Sequence, residues 1–179
     1  MQEQRSKRSS RQIAAIVLLI LMDMVLSFVE FPLIPGAPWL KYDASGMVAV
    51  FSGMLYGSGV GVLVAVVSWI PRFASDPFGA LMNVLAALPL VAVMAAWYRP
   101  DRSFGGVALG CVVAVAAAVT VSVCMNFVIT PLYLGVSYEE VASLVVPALL
   151  PFNVVKASAN VVLAVVCATK LRGLLADER

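Results

Sequence analysis

Apolar positions run almost unbroken through most of this chain, so the breaks between runs carry the information about its shape. Six runs are apolar enough to read as bilayer-crossing helices, at about 12–30, 45–57, 59–71, 78–98, 104–130 and 149–171. The first stops at Glu30-Phe31-Pro32. The segment that follows, FPLIPGAPWLKYDAS, carries Pro32, Pro35 and Pro38, which forbid a regular helix there. YGSGVG parts the second run from the third, and PRFASDPFG and YRPDRS bracket the fourth. Thr130-Pro131 reads as the end of the fifth, and residues 131–148 as a long connection with a short surface helix. The expected fold is all-α and membrane-embedded: one compact bundle of six transmembrane helices in a single domain.

Composition agrees with the pattern. Of 179 residues, 62% are hydrophobic and 12% charged, and the mean hydropathy is +0.99. A soluble domain needs far more polar surface. Six spans with their connections consume nearly the whole length, leaving tails at 1–11 and 172–179 and almost nothing for a soluble domain. RSKRSSRQ before an apolar stretch resembles a signal peptide, but the stretch is long, contains Asp23 and lacks a clear cleavage site, so a retained first span is expected. With the N-terminus inside, the inner segments hold Arg5, Lys7, Arg8, Arg11, Arg99, Arg102, Lys170, Arg172 and Arg179, and the outer loops hold Lys41 and Arg72. Nine against two places both termini in the cytoplasm.

Several chemistries drop out. The chain has no histidine, which removes Ser-His-Asp triads, His-based zinc sites and imidazole proton relays. Cys111, Cys124 and Cys167 sit inside apolar runs without CxxC spacing and read as small buried hydrophobes, so no metal site is expected. No GxxxxGK[ST] loop is present, so the chain does not bind ATP by a Walker loop.

The twelfth basic residue, Lys156, lies within a span. It falls seven residues after Leu149, roughly 10 Å deep at 1.5 Å per residue. Asn153 and Asn160 share its helical face at spacings of three and four. Asn126, Asn83, Ser68 and Asp23 fall at similar depths on four other spans, while the inner half is mostly Val, Ala and Leu. A charge in a span faces a cavity or a partner. The expected arrangement is a polar pocket in the outer half with Lys156 at its floor or wall. Three readings stay open for Lys156: it binds a ligand, it pairs with Asp23 at matching depth, or it does both. Each asparagine alone reads as helix–helix glue. Lys41, Asp43, Glu139 and Glu140 taken singly read as solvated loop charges, and Trp39, Tyr42 and Trp69 as belt or site residues. Neutral amides, one ammonium and aromatic walls suit a planar, polar-edged organic molecule better than an inorganic ion. A membrane-embedded enzyme would need a cluster of Asp or His, and a stand-alone secondary transporter a polar route through the inner half; neither is present in the sequence.

The loop FPLIPGAPWLKYD after the first span, NFVITPLY at the fifth and PFNVVKASAN at the sixth resemble the substrate-binding S component of energy-coupling-factor vitamin importers, most of all the riboflavin type. The resemblance covers nearly the whole chain. It implies a prokaryotic plasma-membrane protein without enzymatic activity or cofactor, binding riboflavin as transported cargo from outside. It also implies partners: a transmembrane coupling subunit and two cytoplasmic ATPases of an ABC-type module. No nucleic acid is involved. By resemblance, Asn126, Asn153 and Lys156 would bond the flavin ring. Leu40, Lys41, Tyr42 and Asp43 would cap the site and approach the ribityl chain; Asn83 joins the candidate binding residues through its depth on the fourth span. S components commonly carry Ala-x-x-x-Ala on the first helix, where the coupling subunit packs; here Ser10-x-x-x-Ala14, with Ala15, is the nearest small-residue pattern. The alternative cargo is another vitamin, such as pantothenate.

Overall fold

The computed structural model describes residues 2–99 and 101–177, with side chains described for 10–99 and 101–171. The basic tails of the charge count, Arg5, Lys7, Arg8, Arg172 and Arg179, carry side chains outside that described set.

The chain is helical almost throughout. Helices α1 (Gln2–Ser27), α2 (Ser45–Tyr56), α3 (Ser58–Trp69), α4 (Pro77–Trp97), α5 (Phe104–Leu134), α6 (Tyr138–Leu144) and α7 (Leu150–Asp177) follow one another. A 3-10 turn, Ile70–Ala74, extends α3, and a π turn, Val145–Leu149, leads from α6 into α7. Backbone groups in lipid must be satisfied within their own segment, which is why a chain this apolar becomes helix. Among the described residues, four stretches are long and apolar enough to cross a membrane: Ser10–Ser27, Pro77–Trp97, Phe104–Leu134 and Tyr138–Leu171. Ser45–Tyr56 and Ser58–Ala74 are apolar but shorter.

Local chemistry sets the element ends. Asp76 caps α4, accepting from the Gly79 N–H at 2.9 Å, with Pro77 as the first helical residue. Ser103 caps α5, and Ser137 with Glu140 forms a reciprocal capping box on α6. Between α2 and α3 the chain reverses at Gly57, whose φ of 96° is a backbone state that favours glycine. Pro131 does not end the fifth helix, as the sequence suggested. The helix runs on to Leu134 and stops at Gly135 in the left-handed conformation. A proline removes one N–H donor, and a last turn beside a polar cleft tolerates that loss.

The core is mainly a layer of small and branched residues, among them Val48, Val64, Val91, Ala114, Ala118 and Ala164, with the longer Met94 packed between them. Small side chains let the helices approach closely. On α7 the buried positions 152, 153, 156, 157, 160, 161, 164 and 168 form one stripe, and Val154, Val155, Val162 and Leu163 face outward. Cys124 and Cys167 correct the sequence reading: both are exposed and Cys111 is half-buried, and all three are free thiols. Outward positions in lipid favour apolar groups as the core does, so hydropathy alone does not separate the two.

The segment between α1 and α2 folds back over one end of the bundle. Phe31 and Pro32 (β1) pair antiparallel with Lys41 and Tyr42 (β2), Phe31 opposite Tyr42 and Pro32 opposite Lys41. Ala37 and Leu40 tuck beneath, packed with Val141, Ala148, Leu149 and Phe152. This end, where α1, α3 and α5 finish and α2, α4 and α7 begin, is the site end.

Candidate functional site

The α7 stripe sets Asn153, Lys156 and Asn160 on one inward face, as their spacing required. Lys156 is 9% exposed. Its ammonium has three N–H donors, and three acceptors meet it: Asp43 Oδ2 at 2.8 Å, the Lys41 carbonyl at 3.3 Å, and Asn83 Oδ1. The Phe152 ring centroid lies 5.8 Å away and adds a cation–π contact. Three elements thus converge on one nitrogen: the folded-back loop, α4 and α7.

The charge partner of Lys156 is Asp43, not Asp23. Asp43 is 1% exposed and so is no solvated loop charge either. Its second oxygen accepts from the Ser45 N–H at 3.1 Å and from the Ser45 hydroxyl. Trp69, which is buried, donates its indole N–H to Ser45 Oγ at 3.2 Å and so supports the carboxylate from α3. Asp23 instead accepts from Ser68 Oγ at 2.7 Å, and its other oxygen has no protein partner. Depth along a helix was read correctly for Asp23, but depth says nothing of which neighbour the residue faces.

The amides are oriented by their own helices. Asn126 donates to the Ser122 carbonyl at 2.7 Å and accepts from Thr130 Oγ1 at 2.8 Å. Asn153 donates to the Leu149 carbonyl at 2.7 Å, and Asn83 to that of Gly79 at 3.1 Å. Asn160 accepts from the Tyr42 hydroxyl at 3.4 Å. Gly46 makes room for it: a Cβ there would meet Asn160 Nδ2 at 2.6 Å. Burial first, then the neighbouring Asp43 carboxylate, push the Tyr42 phenol above its ordinary pKa, so it stays a donor.

Around this layer lies a cleft of about 80 Å³. Leu40, Lys41, Asn83, Asn126, Asn153 and Lys156 line it, together with Trp39, Asp76, Phe78, Tyr133 and Phe152. Six of the eight expected binding residues therefore share one hollow. Tyr42 and Asp43 do not line it but hold residues around it. A second, deeper chamber of about 20 Å³ shares Asn83, Asn153 and Lys156 with the cleft and reaches Asp23, Ser45, Trp69 and Asn160. The cleft is well below the ~300 Å³ at which small-molecule sites begin. A ligand larger than the cleft would have to displace some of the side chains or the folded-back loop that line it.

A network missed by the sequence reading ties that loop down. Glu30 accepts from Lys41 at 2.7 Å and from Arg72 at 2.6 Å. Arg72 also lies over the rings of Phe28 at 5.4 Å and Trp69 at 5.8 Å. Burial raises the Glu30 carboxyl, but bonds to Arg72 and Lys41 outweigh it and hold the group below its ordinary value. The signal available was that Glu30 stands at a span end with the two basic residues of the outer loops.

The residues expected at a coupling interface lie elsewhere. Ser10 and Ala14 are exposed and Ala15 half-buried, on α1 toward the end opposite the cleft.

Apolar helices enclosing a polar, partly closed hollow at one end define a membrane-embedded binding protein. A family model described as the ECF transporter substrate-specific component matches residues 11–168. The chain belongs to that family. It is 26% identical to the riboflavin transporter RibU of Staphylococcus aureus (strain TCH60) over 159 residues, covering 83% of this chain and 84% of the relative. It is 25% identical to the riboflavin transporter FmnP of Bacillus subtilis (strain 168) over 183 residues, covering 94% and 96%. A solved structure described as the S component of a bacterial ECF transporter superposes with a TM-score of 0.77 at 25% identity, covering 93% of this chain and 98% of that one. The protein is a membrane transport component and not an enzyme.

Proposed function

We propose that this chain is the riboflavin-binding S component of an ECF-type ABC importer. The observation that carries the reading is the convergence of Asn83, Asn126, Asn153 and Lys156, from three helices, on one cleft. Amides present donors and acceptors in one plane, as the edge of a flavin ring does. Trp39, Phe78, Tyr133 and Phe152 offer flat walls for its faces. Two relatives named as riboflavin transporters support the cargo.

In this reading α1, α2, α3, α4, α5 and α7 cross the membrane and both termini are cytoplasmic. The bias of basic residues supports that orientation. The cleft then opens outward, and Leu40, Lys41, Tyr42 and Asp43 cover it. The vitamin is cargo, with no resident cofactor. A coupling subunit packs on the small-residue edge at Ser10, Ala14 and Ala15, and two ATPases on other chains supply the energy.

The test is calorimetric titration of the purified, ligand-stripped chain with a panel of vitamins. Riboflavin binds most tightly, and protein purified from riboflavin-containing medium is yellow. Tighter binding of pantothenate or another vitamin overturns the cargo assignment.

A further inference from the structure

A groove of about 580 Å³ runs between α5 and α7 on the outside of the bundle, several times the volume of the cleft. Val112, Val115 and Ala116 wall it on one side, and Val154, Ser158 and Val162 on the other. The short side chains of Ala116 and Ser158 leave a gap between branched neighbours. The volume lies within the range that holds a small organic molecule. In a bilayer such a groove meets acyl chains and not water.

The helices that wall it carry unpaired cations at one end. Around the cleft each cation has a carboxylate: Lys156 meets Asp43, and Lys41 and Arg72 share Glu30. At the opposite end, Arg11, Arg99, Arg102 and Lys170 have none among the described residues. Arg102 stands two residues before α5, and Lys170 lies on α7 at the same end. Arg102 is also held in place. Its guanidinium carbon lies 5.1 Å from the centre of the Trp97 ring, and the Trp97 indole N–H donates to the Gly106 carbonyl at 2.9 Å. A Cβ at Gly106 would meet Arg102 Cγ at 2.6 Å, so the glycine leaves the arginine stem its place. Stacking on an aromatic face leaves the in-plane N–H donors free for an anion. Asp101, the one acid at this end whose side chain is described, is exposed and pairs with none of these cations.

We propose that the α5–α7 groove seats one anionic phospholipid, its acyl chain between the helices and its phosphate on Arg102 and Lys170. A guanidinium fork and an ammonium both suit phosphate oxygens, and basic pockets between membrane helices suit anionic head groups. Cys111, at the near end of the groove, follows Arg102 by nine residues, and Val162 precedes Lys170 by eight. That is about 12–14 Å of helix at 1.5 Å per residue. An acyl chain reaches the middle of a hydrocarbon layer about 30 Å thick, so it enters the groove from that end. A zwitterionic lipid fits the groove equally but brings a positive group beside the cations. The seat lies away from the cleft and holds for any cargo.

The experiment is native mass spectrometry of the full chain, released from detergent micelles doped with equal amounts of palmitoyl-oleoyl phosphatidylglycerol and palmitoyl-oleoyl phosphatidylcholine. One phosphatidylglycerol is retained per chain, preferred at least about fivefold, the scale of one basic residue at an anionic surface. Combining Arg102→Gln with Lys170→Gln brings the preference close to one. Arg11→Gln removes a cation from the same end, but on α1, which packs against α2 and α3; it leaves the preference unchanged. Ala116→Phe fills the groove without touching a charge and lowers retention of both lipids severalfold. Thermal unfolding checks that each variant is folded. Equal retention of the two lipids by the wild-type chain overturns the proposal and needs no variant. So does a preference that survives the double substitution, or undiminished retention in Ala116→Phe. An equal loss in Arg11→Gln assigns the effect to the charge of the whole face and overturns the seat. A chain that leaves the micelle as a dimer, broken by Ala116→Phe, gives the groove to a second copy and overturns it as well.

Discussion

Lys156 and Asp43 form a buried ion pair whose worth lies in mutual neutralisation. Removing one member leaves the other charge in a low-dielectric site, which costs about 3–5 kcal/mol. Lys156→Met is therefore expected to lower thermal stability in detergent and to abolish tight riboflavin binding. Adding Asp43→Asn to Lys156→Met restores much of the stability but not the binding. A double-mutant cycle measured by thermal unfolding checks this; additive losses would mean the pair is not coupled. The α7 half of this arrangement was legible in the sequence, because a period of 3.6 fixes which residues share a face. The Asp43 half was not. Its partner lies more than a hundred positions away across an irregular loop, and nothing local reports where such a loop lands. Asn126 and Asn83 were legible as depth but not as direction, and the fold supplied the direction.

Between α1 and α2, the loop that covers the cleft is held by the Glu30 bonds to Lys41 and Arg72 and by a two-residue antiparallel pairing. Those contacts are few, and a ligand of vitamin size needs more room than the cleft provides. Glu30→Gln loosens the tie, so stopped-flow mixing is expected to show faster association and severalfold faster dissociation of riboflavin, with the folded fraction little changed. Unchanged rates would show that the tie does not hold the loop. The pH dependence has a definite sign. The folded-state carboxyl lies below its ordinary 4.5, so its contribution is complete above 4.5 and is lost as pH falls through the lower folded value. Dissociation is thus flat from pH 8 to about 5 and quickens only in stronger acid. The helices themselves were largely legible, since hydropathy marks spans and Gly and Pro mark breaks. The continuation of α5 past Pro131 was not, because proline signals a lost donor and not whether the helix can do without it.

Across the whole molecule, the cleft and the small-residue edge proposed for coupling lie toward opposite ends. The cleft gathers where α4 and α7 begin, whereas Ser10 and Ala14 lie exposed far along α1. The two functions are accordingly expected to separate. Ala14→Leu leaves riboflavin binding by the isolated chain intact and strongly reduces uptake by cells carrying the coupling module, because a bulky side chain holds a partner helix away. A parallel loss of both would show that α1 serves the cleft instead.

Gly57 carries a further consequence. Each arm of the α2–α3 hairpin has 12 residues, about 18 Å of helix at 1.5 Å per residue. The hydrocarbon layer is about 30 Å thick. Starting level with the cleft, the hairpin therefore passes the midplane but crosses fully only where the bilayer thins toward its tip at Gly57, Ser58 and Gly59, which is exposed. The bundle is shorter on one flank than on the other. Lipid beneath that flank must dimple toward the tip, a strain of fractions of a kcal/mol per Å that leaning of the whole body relieves. An upright posture is consequently held less firmly than in a protein whose helices all reach both surfaces.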